Sequence, residues 1–83
     1  MSIELKLFGF GDERPASFGS RDYLRLDLET PASVDQLLHA VGIEDATGLV
    51  IMNADRVIPP PHWNDSIIND GERITILFAI EGG

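Results

Sequence analysis

Two histidines, fourteen acidic residues, a few serines and a closing Gly82-Gly83 pair are the groups in this 83-residue chain whose types could do chemistry. Cysteine is absent, which removes disulfides, zinc–thiolate sites and cysteine nucleophiles. His62 has Asp65 three residues on but no second histidine at a ligand spacing, so no metal site is expected. His39 stands beside Leu38 in a helical stretch, the usual setting of a solvated histidine. No carboxylate pair is tied to a pocket-forming motif, so general acid–base catalysis has no anchor. Ser17, Ser20 and Ser66 lack a nucleophile-elbow context. The glycines of "GFGDERPASFG" are wrongly spaced to cradle a phosphate. The interior does not read as an enzyme. What remains is "FAIEGG", an apolar strand that runs into two glycines and a terminal carboxylate.

The bulk composition narrows the partners. Fourteen acidic against six basic residues give a formal charge of −8. Nucleic acid and anionic lipid need clustered Lys and Arg, so neither is expected as a partner. A basic protein surface suits this charge, because the acidic field would assist encounter; plain solubility is the competing expectation. The opening "MSIELKLFGFGDE" carries acidic residues inside its apolar run, unlike a signal peptide. No apolar stretch approaches a membrane span. The expectation is one cytoplasmic domain over residues 1–83, monomeric when free.

The elements that must position the terminus follow from periodicity. Ile3, Leu5 and Leu7 alternate with Glu4 and Lys6, a half-buried strand. Residues 9–22 collect glycine, proline, serine and charge and read as a long loop. Leu24, Leu26 and Leu28 alternate with Tyr23, Arg25, Asp27 and Glu29, giving a second strand. Ser33 and Gln36 fit a capping box, and Val34, Leu37, Leu38 and Val41 form one face of a short helix ending at Gly42. "GLVIMN" predicts a strand buried on both faces. Residues 53–56 predict a tight turn into a brief strand at Val57-Ile58, which Pro59-Pro60-Pro61 terminates. "HWNDSII" predicts a helical turn, Trp63 an anchor for the proline-rich segment with an exposed partner-binding tryptophan as the competing expectation, and Arg73–Ile80 the last strand. The order β-β-α-β-β-β defines an α+β roll of the β-grasp, or ubiquitin-like, kind: a mixed sheet of four to five strands with one main helix across it.

Strand phase then places Phe8, Val57 and Leu77 on the helix-free side of the sheet as an exposed apolar patch, a usual mark of a protein interface. The competing expectation is that the 9–22 loop folds over that patch.

With the β-grasp order, the exposed face and the Gly-Gly end, the chain resembles the ThiS/MoaD family of sulfur carriers. These are the thiamine-pathway carrier and the small subunit of molybdopterin synthase. "MNADRVIPPPHWNDSIINDGERITILFAIEGG" looks like the family's Asn after a strand, then "V-P-x-x-x-W", "DG-[DE]-x-[IV]", an apolar strand and terminal Gly-Gly. The Pro59–Trp63 spacing is nearer the thiamine branch, and "ELKLFGF" is nearer the molybdopterin branch. The long 9–22 loop and Glu81 depart from the pattern.

The resemblance implies a carrier cycle. A ubiquitin-activating (E1-like) adenylating enzyme would transfer AMP from ATP to Gly83. A sulfurtransferase or cysteine desulfurase would supply the sulfur that makes the thiocarboxylate. A thiazole synthase, or the large subunit of molybdopterin synthase, would consume it. Gly82 would let the arm thread, and Phe8, Val57, Leu77, Phe78, Ile80 and Glu81 would meet the partner. ATP and magnesium would belong to the partner, with no cofactor bound by this chain. A ubiquitin-like modifier and a plain β-grasp interaction module are the other readings.

Overall fold

The computed structural model describes residues 2–10, 14–29 and 31–78. Alternation produces the first strand, β1 (Ser2–Phe8), which buries Ile3, Leu5 and Leu7. β2 (Tyr23–Asp27) pairs with it antiparallel, Leu5 facing Leu24. The helix α1 (Val34–Ala40) starts where the capping box predicts. The Ser33 hydroxyl accepts the Gln36 N–H at 3.2 Å, and the Gln36 side chain accepts the Ser33 N–H at 2.8 Å. It ends in a Schellman motif: Gly42, at φ 87°, donates to the His39 carbonyl, and Ile43 donates to that of Leu38. A left-handed residue is needed there, and glycine takes it without a Cβ penalty.

β3 (Leu49–Asn53) and β4 (Arg56–Ile58) form a hairpin, and β5 (Arg73–Phe78) closes the sheet. The strand order is β2-β1-β5-β3-β4. β1 and β5 run parallel at the centre, and every other pairing is antiparallel. Ile51, Ile74 and Ile76 join the β1 residues with Val34, Leu37, Leu38 and Val41 from the helix in one core. Fully burying each such side chain contributes about 1.5–3 kcal/mol before chain entropy is subtracted.

Three sequence expectations shift. β3 is not buried on both faces: Leu49 and Ile51 are buried, but Val50 and Met52 are half-exposed, because α1 covers only one side. The helical turn lies at Pro60–His62, upstream of the expected position, since proline suits the first helical turn, where its missing N–H is no loss. One more turn follows, with Ser66 donating to the His62 carbonyl at 2.9 Å. β2 stops at Asp27, with Leu28 packed on the core just beyond. The expected last strand is seen to Phe78, and Ala79 and Ile80 lie outside the described residues.

The long connection after β1 is largely built in. Phe10 and Phe18 enter the core, and a short 3-10 turn spans Ala16–Phe18. The Ser17 hydroxyl donates to the Val41 carbonyl at 2.8 Å, and Arg14 pairs with Asp22 at 2.9 Å. Trp63 is also an anchor, as expected: it is buried, and its indole N–H donates to the Ile58 carbonyl at 2.8 Å.

Candidate functional site: the uncovered sheet face and the root of the arm

The strand registers assemble the helix-free face. Phe8 lies beside Leu77 across the parallel ladder, Leu77 beside Val50, Thr75 beside Met52, and Met52 beside Val57. Phe8 is 50% exposed and Val57 58%, while Leu77, Val50 and Met52 are half-buried. The Lys6 ammonium stands 5.0 Å from the centre of the Phe8 ring, a cation–π contact that borders the patch with one positive charge. The described residues of the 9–22 connection send their aromatic rings to the other side, so they leave Phe8 open.

The same face is charged at the start of β5. Glu4 accepts from Arg73 Nε at 2.9 Å and from the Tyr23 hydroxyl at 3.3 Å, and Arg25 approaches at 3.5 Å. Arg73, first by its hydrogen bond, holds the Glu4 carboxyl below its ordinary range. The face is therefore polarised along β5. Its charged half lies at the strand's beginning and its apolar half at the end from which residues 79–83 continue.

Phe78 sits differently from its neighbour Leu77. Its phase turns it to the core side, where it is half-buried with its ring centre 5.4 Å from that of Phe10. Ile80, Glu81, Gly82 and Gly83 lie outside the described residues. Val50, Met52 and the exposed Tyr23 belong to the face although periodicity did not single them out. The two-residue turn at Ala54-Asp55, which sets Met52 opposite Val57, was the signal that could have found the first two.

The interior chemistry is sparse. His39 is exposed, and His62 Nδ1 lies 3.6 Å from Asp65 Oδ1 at the surface. Among the described residues no three histidine, aspartate or glutamate side chains gather as a metal site would require. Besides Glu4, Asp45 and Glu72 have displaced carboxyl pKa values. Thr47 lowers the first, and Asn69 followed by Asn53 lowers the second. All three are pushed toward the charged form, the opposite of a poised general acid. An open cleft of about 590 Å³ between β4 and residues 62–67 is lined by Arg56, Val57, His62, Ile67 and Glu72 among others. Ser66 and His62 both line it, and the bond recorded between them runs from the Ser66 backbone N–H to the His62 carbonyl.

This architecture has solved counterparts. SAMP1 from Haloferax volcanii aligns over 100% of both chains with a TM-score of 0.67 and 18% identity. A second structure, small archaeal modifier protein 1 of the same organism, covers 95% of this chain and 98% of its own, at TM-score 0.64 and 14% identity. A chain in the complex of subunits 1 and 2 of the molybdopterin-converting factor from Helicobacter pylori aligns over 100% of both chains at TM-score 0.60 and 20% identity. These likenesses define the class: the protein is a β-grasp, ubiquitin-like domain. No curated protein matches the chain in sequence. The ThiS family model matches residues 18–83, and the chain belongs to the ThiS family. No helix among the described residues is long and apolar enough to cross a membrane.

Proposed function

We propose that the protein is a sulfur carrier whose reacting group is the Gly83 carboxylate and whose sulfur serves thiazole formation in thiamine biosynthesis. The observation that carries this reading is the ThiS family match, which runs through Gly82 and Gly83 to the last residue. A carboxylate is a poor electrophile. In the proposed cycle its oxygen attacks the α-phosphorus of ATP on an E1-like partner, and pyrophosphate leaves. The terminal sulfur of a persulfide then attacks the carbonyl carbon and AMP leaves. A partner thiol cleaves the resulting S–S bond, leaving the thiocarboxylate on Gly83 and a disulfide on the partner. The chain itself needs no cysteine, because the sulfur rides on the main-chain end.

The sheet supports a division of labour in this reading. Phe8, Val57 and Leu77, with Val50 and Met52, supply an apolar docking surface on a rigid support. Residues 79–83 supply reach, five residues at about 3.4 Å each, or roughly 17 Å. Ile80 and Glu81 meet the partner along that path, and Gly82 offers no side chain to obstruct it. Binding energy gained on the face is thereby available to bring the carboxylate into an enclosed site.

Molybdopterin synthesis and protein modification share the adenylate and differ in the group that next attacks it or receives its sulfur. The Helicobacter pylori neighbour in its two-subunit complex favours the first as the second reading, with a synthase large subunit as the acceptor. A modifier would instead offer the adenylate to a lysine amine. Pyrophosphate exchange with the adenylating enzyme tests the shared step. Exchange should require this chain and vanish when Gly82-Gly83 is deleted, with the circular dichroism spectrum unchanged. Undiminished exchange in the deletion would refute the role of Gly83.

A further inference from the structure

Gly9 and Phe10 meet the last described residue of β5 from two directions. Gly9 follows the final register pair of β1, Phe8 with Leu77, and turns the chain at φ 77°. A Cβ at Gly9 would stand 2.7 Å from the Phe78 carbonyl oxygen, closer than side-chain carbons come. Residue 9 can therefore lie against the backbone of residue 78 only because it is glycine. Phe10 supports the ring: it is 7% exposed, and its plane is inclined 37° to that of Phe78. Phe10 and Phe78 both border an open cleft of about 230 Å³, lined also by Ile43 and Leu49 with Glu44 and Asp45. Phe10 is the one aromatic partner of Phe78 among the described residues.

We propose that Gly9 and Phe10 are positioning residues: together they fix Phe78, the last described residue of β5, and through it the line along which the chain continues toward Gly83. Neither belongs to the exposed face or to the reacting end. They act through Phe78, and the consequence for catalysis rests on the carrier reading. Once the sheet face is docked, the start of the arm is set by Phe78. Every residue held there is one fewer to be ordered on entering the partner's site. Misplacement by about 1 Å at a reacting carboxylate can cost about 100-fold in rate.

The test has two readouts, one of them independent of any partner. Nitrogen-15 relaxation of the Ala79–Gly83 amides in the free protein reports the arm. Steady-state AMP transfer by the adenylating enzyme gives kcat and the KM for the carrier. Phe10→Ala should loosen residues 79 and 80 and lower kcat about 10- to 100-fold, with KM within about twofold. Phe18→Leu, in the same connection but not stacked on Phe78, should lower stability and leave both readouts near wild type. Should Phe10→Ala fail to fold, Phe10→Leu keeps most of the volume without the ring and must move both readouts in the same direction. Unchanged relaxation at residues 79 and 80, or an equal change in Phe18→Leu, would overturn the proposal. Should no enzyme adenylate the wild type, the carrier reading fails, and the relaxation data still decide whether Phe10 holds the arm's root.

Discussion

Phe8 on β1 and Leu77 on β5 are register partners in the parallel ladder, side by side on the face of the sheet that α1 leaves uncovered. Their neighbours Val50, Met52 and Val57 extend that face across β3 and β4. An aspartate at either position adds a charge that water still solvates in the free protein but that a docked partner would bury. Phe8→Asp and Leu77→Asp should each weaken binding to the adenylating enzyme about 10- to 100-fold, read by calorimetric titration. Thermal stability should change little for Phe8→Asp, since Phe8 is half-exposed. Unchanged affinity in both variants would place the docking surface elsewhere.

Trp63 ties the proline-rich segment to the sheet through its indole N–H on the Ile58 carbonyl. Trp63→Ala should cost about 3–5 kcal/mol in urea unfolding, because it empties a core position. Trp63→Phe keeps much of the packing but leaves that carbonyl unpaired, an expected loss of about 1–3 kcal/mol. A change below about 1 kcal/mol in Trp63→Ala would contradict the anchor role.

These two residues also show how far the sequence could be read. Period-2 alternation in β1 and the capping box of α1 rest on interactions within a few residues, so local pattern sufficed for both. Phe8 and Val57 followed from strand phase alone. Val50 and Met52 escaped because a continuous apolar run looks the same whether one face or two are covered, and only the position of α1 decides that. Phe78 shares a strand with Leu77 but faces the opposite side, where Phe10 meets it. That contact depends on how the 9–22 connection folds back, and its glycine- and charge-rich composition gives no periodic signal. The family resemblance in the second half of the chain, by contrast, lay in spaced motifs, and the ThiS match covers that half entirely.

The cap of α1 is reciprocal, each of Ser33 and Gln36 satisfying the other's backbone N–H. Ser33→Ala should cost about 1 kcal/mol. The double substitution with Gln36→Ala should cost less than the sum of the singles, since both remove one motif. Strict additivity in chemical denaturation would show that the two bonds act separately.

Glu72 should contribute to acid sensitivity. Its carboxylate accepts the Asn69 backbone N–H and the Asn53 side-chain amide, the latter at 3.0 Å, and both favour the charged form. A lowered folded-state pKa means the contribution is full above the unfolded value, about 4.3, and is lost as pH falls through the folded one. Glu4, lowered first by Arg73, works in the same direction. The urea midpoint should therefore decline on acidification below about pH 4.3, and Glu72→Gln should decline less steeply over that window. An identical acid slope in the variant would show that Glu72 is not one of the groups responsible.

The central claim is that Gly83 carries the sulfur, and intact-protein mass spectrometry reads it directly. After incubation with the adenylating enzyme, ATP and a persulfide donor, the account predicts a mass gain equal to one oxygen replaced by sulfur. Fragmentation should map that gain to Gly83. An unmodified chain, or one joined through Gly83 to a lysine with no thiocarboxylate form, would contradict the account.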